Sequence, residues 1–391
     1  MSMEDRIVIV GAGQAAVSCA ARLRTLSSGC SINLIGDEPY LPYQRPPLSK
    51  AFLTGELSVE RLALKPRDWY DAQAIGLKTA SPVSRIDRRE RLVILEDGEQ
   101  LPYDKLVLAT GSRPRVLPES LTRNASRIYT LRGIADAEML KGELLPGRRL
   151  LVVGGGYVGL EFAASAAKAG LQVVLVEAAE RILGRVAASE TADYFRELHR
   201  SHGVEIRENV GVLAICDTEG ARRASLSNGE QIDADFVVVG IGAIANDRLA
   251  LECGLETRNG VLVNENGQTS DPLIFAAGDC ATLLGEAVTA RIESVQNAIE
   301  QGDAVAHSLL GQIAPPRKTP WFWSDQFDAK LQIAGINSGF DRTEVKAGTR
   351  VGAQSIWYYA GETLIAVDAI NDPVTYMTVR RILDARMSTS K

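Results

Sequence analysis

Two short apolar runs, each followed at once by glycines and then by a stretch with helical spacing, organise the 391-residue chain. Continuous apolar runs of this length are typical of strands that are buried on both faces of a parallel sheet. The two patterns start 143 residues apart, which is too far for one nucleotide site. The runs and their glycines are residues 7–10 with Gly11 and Gly13, and residues 150–153 with Gly154 and Gly156.

Further elements follow from the same kind of pattern. Asp97-Gly98 and Asn228-Gly229 predict hairpin turns, and a proline-rich loop at 38–50 leads into a helix near 50–53. Buried strands are predicted at 105–109, 235–242 and 272–277, a helix at 292–310, and a linker at 314–320. Short alternating runs after the linker indicate a small α+β domain. The fold class is therefore α/β, with two Rossmann-like dinucleotide-binding domains and a small C-terminal α+β domain.

The two glycine patterns have a specific chemistry. The first glycine permits a tight turn, the second lets the backbone approach a pyrophosphate, and a third glycine or an alanine allows close helix–strand packing. The N-terminus of the helix then offers free N–H groups to the phosphates. An acidic residue that can bind a ribose follows the next strand in each unit, Asp37 in the first and Glu177 in the second. We infer two bound dinucleotides and a route for electrons between them; the alternative is glycine turns that serve packing alone.

Composition narrows the class of protein. Hydrophobic residues make up 46% and charged residues 24% of the chain, as in soluble globular proteins. A net charge of −6 argues weakly against nucleic acid as a partner. The N-terminus resembles no signal peptide and no apolar stretch is long enough to cross a bilayer, so we expect a cytoplasmic protein without a membrane partner.

The five cysteines and three histidines exclude some chemistry. No two cysteines form the adjacent thiol pair that a disulfide reductase needs beside its flavin. No cluster has metal-ligand spacing, so we expect no metal. Histidine-based acid–base catalysis is not expected, and hydride transfer does not require it.

Several longer motifs make the chain resemble a known family over nearly its whole length. The motifs are Gly-Ala-Gly-Gln-Ala at 11–15, Arg-Pro-Pro-Leu-Ser-Lys at 45–50, Ala-Thr-Gly-Ser-Arg-Pro at 109–114, Gly-Gly-Gly-Tyr-Val-Gly-Leu-Glu at 154–161, Gly-Asp at 278–279, Arg-Ile-Glu-Ser-Val-Gln at 291–296 and Pro-Trp-Phe-Trp-Ser-Asp-Gln at 320–326. With these motifs the chain is similar to the FAD-containing, NADH-dependent ferredoxin reductases typified by putidaredoxin reductase and rhodocoxin reductase, which have a glutathione-reductase-like fold. The runs at 45–50 and 320–326 are the most specific to the family.

The resemblance implies an FAD site and an NADH site. It implies an FAD-binding domain at 1–112 and 243–317, an NAD-binding domain at 113–242 and a C-terminal domain at 318–391. The residues expected to hold FAD are Gly11, Gly13, Ala15, Asp37, Lys50, Val83, Thr110, Gly111, Arg132, Asp279, Val295 and Gln296. The residues expected to hold NADH are Gly154, Gly156, Tyr157, Val158, Glu161, Glu177, Arg185 and Gly242. Val83 and Arg132 rest on the family match alone, and a core valine is the alternative for Val83.

Three residues are expected to take part in electron transfer. The resemblance places Lys50 beside the flavin, where a cation stabilises the reduced cofactor. Glu161, expected in the first turn of the second Rossmann helix, would bind the nicotinamide amide and pair with Lys50; a carboxylate that only complements the helix dipole is the alternative. The family match places Trp323 near the flavin edge that faces ferredoxin, and a core aromatic is the alternative.

The expected activity is an NADH-dependent ferredoxin reductase that serves a bacterial monooxygenase or dioxygenase. Its partner would be a two-iron two-sulfur ferredoxin, and the protein would be a monomer or weak dimer. From 318 onward the chain has nine Lys and Arg against eight Asp and Glu. This slightly basic balance would suit the docking of an acidic ferredoxin. The chain ends soon after 386, without the longer C-terminal tail that some members carry, which argues against a partner contact made by such a tail.

Other functions of the same fold stay open. An NADH oxidase or peroxidase usually needs a redox cysteine near the flavin, and the loop at 39–50 has none. An electron donor to rubredoxin or nitrite reductase stays possible, as does an NADH-binding regulatory protein that resembles apoptosis-inducing factor.

Overall fold

The chain divides into two compact units in a computed structural model, which describes residues 5–27, 29–123, 125–285 and 291–389. The first unit combines the chain up to residue 44 with 60–113 and 244–317, and the second combines 45–59, 114–243 and 318 onward. The division into three domains with boundaries at 112, 242 and 317 is not tested by these two units and stays a prediction. Among the described residues, none of the helices has the length and apolarity needed to span a bilayer.

Short strands and a smaller number of helices make up the described part of the chain. The strands are β1 Arg6–Val10, β2 Ser31–Ile35, β3 Ile75–Lys78, β4 Val83–Asp87, β5 Leu92–Leu95, β6 Gln100–Pro102, β7 Lys105–Leu108, β8 Ser112–Pro114, β9 Ile128–Tyr129, β10 Arg149–Val153, β11 Gln172–Val176, β12 Glu205–Arg207, β13 Val212–Thr218, β14 Ala221–Leu226, β15 Gln231–Ala234, β16 Phe236–Val239, β17 Ala243–Ala245, β18 Val261–Val263, β19 Ile274–Ala276, β20 Ala281–Leu283, β21 Trp321–Gln326, β22 Ala329–Gly335, β23 Arg342–Ala347, β24 Gln354–Ala360 and β25 Thr363–Ile370. The helices are α1 Gln14–Leu26, α2 Val59–Leu62, α3 Arg67–Ala72, α4 Glu119–Thr122, α5 Ile134–Lys141, α6 Tyr157–Lys168, α7 Ser189–Ser201, α8 Arg248–Glu252, α9 Val295–Leu309 and α10 Pro373–Thr389, with a 3₁₀ helix at Pro46–Ser49.

The first unit is built on a parallel sheet in the order β19-β7-β1-β2-β3. Side chains of β1 alternate between its two faces. Ile7 and Ile9 belong to the core under α1 and α9, whereas Val8 and Val10 belong to the core that includes β4 and β5. Burial on both faces explains the continuous apolar run and confirms the first Rossmann-like half.

The second unit repeats this construction with a parallel sheet in the order β12-β11-β10-β16-β9. Leu150 and Val152 pack on one face of β10, and Leu151 and Val153 pack on the other. The hairpin predicted at Asn228-Gly229 is confirmed between the antiparallel strands β14 and β15.

The C-terminal part of the second unit is an antiparallel sheet in the order β21-β22-β25-β24-β23, with α10 packed against it. Val367 of the sheet and Val379 of α10 lie in one buried cluster. The opposite face contributes Ile356, Tyr358 and other side chains to the core around α6 and α7. This arrangement confirms the predicted α+β domain.

Two predicted helices differ in their bounds. The turn predicted as a helix near 50–53 is a 3₁₀ helix at Pro46–Ser49, because the fixed φ of its two prolines suits a first helical turn. The helix predicted at 292–310 begins at Val295. Ser294 caps it, since its Oγ accepts a hydrogen bond from the backbone N–H of Asn297 at 3.1 Å.

A buried carboxyl group lies where the C-terminal sheet packs on α7. Asp368 is fully buried and accepts hydrogen bonds from the hydroxyls of Tyr358 and Thr191, the latter at 2.7 Å. Burial raises the pKa of Asp368 from its ordinary 3.8 to about 6, against the opposing effect of the two hydroxyls. Ionisation of this carboxyl therefore costs more in the folded protein than in the unfolded chain.

The pH dependence of stability follows from that shift. The folded state binds more protons than the unfolded state between the two pKa values, so stability from this group falls as the pH rises through that window. In Asp368→Asn the group no longer ionises. The unfolding free energy of the variant minus that of the wild type should rise by about 2 kcal/mol from pH 4 to pH 7, since the carboxyl of the unfolded chain is already partly ionised at pH 4. Urea unfolding at both pH values measures it, and a difference independent of pH would contradict the assignment.

Candidate functional site

The first glycine turn joins β1 to α1 in the first unit. Gly11 has φ +113, and a Cβ placed on it would lie 2.1 Å from the carbonyl oxygen of Ala109. A Cβ on Gly13, in contrast, would meet no described atom within 4 Å. Helix α1 begins directly after Gly13 without a side-chain cap. The turn thus leaves open space in front of helix N–H groups that have no intrahelical partner, which fits a pyrophosphate.

Several other residues predicted to bind FAD lie around this turn. A Cβ on Gly278 would lie 3.0 Å from Cβ of Ala15, which places the Gly278-Asp279 turn beside the start of α1. Asp279 accepts a hydrogen bond from Ser112 Oγ at 3.0 Å. The backbone nitrogen of Thr110 lies 3.1 Å from the Cβ position of Gly11. The structure thus brings these parts of the predicted site together.

For the other residues of the first unit that were predicted to bind FAD, the structure gives a position in the fold but no contact with the glycine turn. Asp37 is exposed and follows the buried Gly36 at the end of β2. Val295 and Gln296 begin α9, as expected. Gly111 has φ +68 in the segment after β7. Val83 begins β4 and packs against the core on that side of the sheet, so its contact with FAD stays a prediction.

The second glycine turn joins β10 to α6 and repeats the first. Gly154 has φ +107, and its Cβ would lie 2.5 Å from the carbonyl oxygen of Gly240. A Cβ on Gly156 would have Gly240 O, at 3.9 Å, as its nearest described neighbour. Gly159 packs so closely that a Cβ would lie 2.1 Å from the Gly154 carbonyl oxygen. This turn therefore also fits a dinucleotide phosphate.

Glu177 follows β11 and holds the second turn. Its Oε2 accepts a hydrogen bond from the backbone N–H of Gly155 at 2.7 Å, and its Oε1 accepts one from Ala179 at 2.8 Å. Each carboxylate oxygen keeps a further lone pair for a ribose hydroxyl. Arg185 is exposed, and its Nη2 lies 3.3 Å from the Cβ position of Gly242.

Tyr157 and Val158, the first residues of α6, have different surroundings. The ring of Tyr157 lies 4.7 Å from that of Phe322, between centroids, and Tyr157 has a buried hydroxyl. Val158 is 47% exposed. Their contacts with NADH stay predictions.

Lys50 and Glu161 form an ion pair inside the second unit. The distance from Lys50 Nζ to Glu161 Oε2 is 2.8 Å, and the side chains are 20% and 7% exposed. Ser49 Oγ donates to the same oxygen at 2.7 Å, and Ser324 Oγ donates to Oε1 at 2.7 Å. Arg45 reaches from the same segment to the carbonyl oxygen of Arg132 at 2.9 Å. The buried carboxylate thus fixes the ammonium group of Lys50.

The position of Glu161 on its helix differs from the expectation. It is the fifth residue of α6 and not a first-turn residue, because the helix begins at Tyr157. It points to the buried side, where it meets the 3₁₀ helix and β21. The helix dipole therefore does not account for this carboxylate, since that effect falls off within the first turn.

The pairing of Glu161 with Lys50 was predicted from the sequence, whereas its hydrogen bonds from Ser49 and Ser324 were not. Ser324 lies on β21, and its side chain is on the face opposite to those of Trp321 and Trp323. That alternation is a signal, since Phe322, Ser324 and Gln326 share one face of a predicted strand. Nothing in the sequence says, however, that the face packs on α6.

Trp323 lies beside Trp321, with ring centroids 5.5 Å apart and the rings tilted by 34°. Trp321 in turn contacts Tyr376 and lies under the guanidinium of Arg380. Trp323 is only partly buried. Its role towards a partner stays a prediction.

The cysteines are free thiols in the structure. Burial raises the pKa of Cys19, Cys253 and Cys280, which suppresses the reactive thiolate. Within the described part of the chain, no group of three or more His, Cys, Asp and Glu side chains could hold a metal ion.

Comparison with known proteins gives matches along almost the whole chain. A profile of the family described as pyridine nucleotide-disulphide oxidoreductase matches residues 5–302, and one described as reductase C-terminal matches 321–391. Putidaredoxin reductase of Pseudomonas putida is 41% identical, over 99% of this chain and 93% of that protein. Rhodocoxin reductase of Rhodococcus erythropolis is 42% identical, over 97% of this chain and 90% of that protein.

A solved structure agrees with these sequence matches. The crystal structure of the covalent putidaredoxin reductase–putidaredoxin complex has a TM-score of 0.93 and 41% identity, covering 98% of this chain and 93% of that one. The chain therefore belongs to the pyridine nucleotide-disulphide oxidoreductase family and, within it, to the group of putidaredoxin reductase and rhodocoxin reductase.

Proposed function

We propose that this protein is an FAD-containing reductase that takes hydride from NADH and passes single electrons to a two-iron two-sulfur ferredoxin of an oxygenase system. The observation that carries the proposal is the pair of open glycine turns, one in each unit, each opening a helix. Two dinucleotide sites on one chain suit an enzyme that moves electrons between nucleotides. The similarity to a reductase that was crystallised with putidaredoxin supports a ferredoxin as the acceptor.

The chain's own residues bind and orient the reactants. FAD supplies the redox chemistry, since it accepts a hydride and gives up electrons one at a time. The turn at Gly11 and Gly13 would hold the FAD phosphates, and the turn at Gly154 and Gly156 those of NADH. Lys50 would place a cation beside the flavin, held by Glu161, and the charge would favour reduction.

We infer a preference for NADH over NADPH from Glu177. Its carboxylate would bind the ribose hydroxyls and repel a 2′-phosphate. Glu177→Ala should narrow the ratio of kcat/KM for NADH over NADPH by about tenfold, since it removes the repulsion between the carboxylate and a 2′-phosphate, which solvent screens in part at this position. Steady-state kinetics with both nucleotides measures this ratio.

Glu177→Gln separates charge from structure in that experiment, because glutamine can still accept one of the two backbone hydrogen bonds. A wild type that uses both nucleotides equally well would contradict the assignment of Glu177.

We infer that ferredoxin docks where Trp323 and the C-terminal domain meet the flavin edge. Trp323→Ala should slow NADH-driven ferredoxin reduction about tenfold and leave ferricyanide reduction largely intact, because a small acceptor needs no docking surface. The association rate should also fall with salt if a basic face steers an acidic ferredoxin.

Trp357→Ala is the matched control, since Trp357 lies in the same sheet and is also partly buried. Equal loss of both activities in Trp323→Ala would mean that Trp323 is a structural residue. Loss of neither would place docking elsewhere.

The assembly and location are also proposals. We propose a cytoplasmic monomer or weak dimer, consistent with a protein that meets a mobile ferredoxin. Sedimentation velocity over a range of concentrations tests the oligomeric state, and a stable higher oligomer would exclude it.

A further inference from the structure

A row of buried polar side chains leads away from Glu161 into the second unit. Ser324, Gln326 and His199 are at most 1% exposed. Gln326 Nε2 lies 3.1 Å from Ser324 Oγ, and Gln326 Oε1 lies 2.8 Å from His199 Nε2. His199 belongs to α7, and the other two belong to β21. Buried polar groups are expensive unless each is hydrogen-bonded in a defined way, so the row calls for a physical reason.

The direction of every hydrogen bond in the row is set by its end at Glu161. The carboxylate can only accept, so Ser324 gives its one proton to Oε1. Ser324 must then accept from the amide nitrogen of Gln326. With its amide nitrogen towards Ser324, Gln326 presents its amide oxygen to His199. Because that oxygen can only accept, His199 must carry its proton on Nε2.

The surroundings of His199 agree with a neutral ring that has one proton. Burial lowers the pKa of His199 to about 4, although the hydrogen bond to Gln326 opposes the shift. Its Nδ1 is buried and has no hydrogen-bond partner in the structure, as expected if the proton is on Nε2. The ring of Phe327 packs edge to face against it at 5.0 Å.

We propose that His199 is a positioning residue for hydride transfer, which acts through Gln326 and Ser324 to hold the carboxylate of Glu161 and, through it, Lys50. This inference rests on the function proposed above. Without the donor at His199, the amide of Gln326 can turn over and present its oxygen to Ser324. Ser324 would then donate its hydrogen bond to the amide oxygen of Gln326 and no longer to Glu161, and the carboxylate would lose one of its three donors.

Two substitutions at the same position separate hydrogen bonding from packing. His199→Phe keeps a ring of similar size next to Phe327 and removes the donor. His199→Gln offers an amide N–H close to the place of Nε2–H. His202→Phe is the matched control, because His202 lies at the end of the same helix and stacks on the same Phe327 but is exposed.

Stopped-flow reduction of the bound flavin by NADH should give a limiting rate roughly five- to tenfold lower in His199→Phe, about the value of one hydrogen bond. The apparent dissociation constant for NADH should change little. His199→Gln should recover most of the rate, and His202→Phe should behave as the wild type. The melting temperature of His199→Phe should fall by no more than a few degrees, since the ring keeps its packing on Phe327 and only the amide of Gln326 loses a partner. In its crystal structure, Ser324 Oγ should no longer donate to Glu161.

Ser324→Ala provides a second test, which does not require the His199→Phe variant to fold. It should slow flavin reduction to a similar extent, and adding His199→Phe should then cause no further loss. An unchanged limiting rate in His199→Phe would overturn the proposal, as would equal rates in the phenylalanine and glutamine variants. A wild type whose flavin is not reduced by NADH would instead refute the proposed function.

Discussion

Gly13→Val is expected to give a folded protein without bound flavin. The Cβ position of Gly13 has no described neighbour within 4 Å, so the added methyl groups meet no clash within the described protein. They would occupy the space in front of α1 where the pyrophosphate has to approach the backbone. The ratio of flavin to protein absorbance, measured after reconstitution with excess FAD, should fall close to zero. Circular dichroism should show the fold retained.

Gly156→Val is the matched control, because Gly156 occupies the same place before α6 and also has an extended backbone. This variant should keep its flavin and bind NADH at least a hundredfold more weakly, by the same loss of phosphate contacts. Normal flavin content in Gly13→Val, or loss of flavin in Gly156→Val, would mean that the two turns have been assigned to the wrong nucleotides.

Lys50→Met is expected to slow reduction of the flavin by NADH about a hundredfold while FAD stays bound. Lys50 lies 2.8 Å from Glu161 in a largely buried site, where a fixed charge acts more strongly than in water. Methionine is one atom shorter than lysine; it keeps most of the apolar stem and removes the ammonium group. Anaerobic stopped-flow at the flavin absorbance band gives the rate directly, and flavin content shows that the cofactor is retained.

Two further variants define that result. Glu161→Ala should slow reduction as well, because Lys50 then lacks its ionic partner. Lys168→Met removes a charge from an exposed position at the end of α6 and should leave the rate unchanged. Wild-type rates in both Lys50→Met and Glu161→Ala would show that the ion pair is structural only.

The parallel sheets and their glycine turns could be predicted because they depend on local sequence. Residues 7–10 and 150–153 are apolar at every position, which is typical of a strand buried on both faces. Gly11 and Gly154 are needed because each turn combines a positive φ with close approach to another strand. Both requirements are visible in a few consecutive residues.

The environment of Glu161 could not be predicted in the same way. Whether Glu161 lies in the first turn depends on where α6 begins, and because the helix begins at Tyr157, Glu161 is its fifth residue. Ser324 and Gln326 lie on β21, far in sequence from His199 on α7 and from Glu161 on α6, and only tertiary packing brings them together. The scarcity of histidine was a reason to discount it, yet His199 contributes by position and not by titration.

The most direct test of the account is a count of ferredoxin molecules reduced per NADH under anaerobic conditions. The protein is mixed with a known amount of NADH and an excess of a two-iron two-sulfur ferredoxin, and the absorbance bands of NADH and of the ferredoxin are followed. The account predicts about two ferredoxins reduced for each NADH consumed, since a hydride carries two electrons and the acceptor takes one. NADH oxidation that begins only when oxygen is admitted, with the ferredoxin still oxidised, would contradict it.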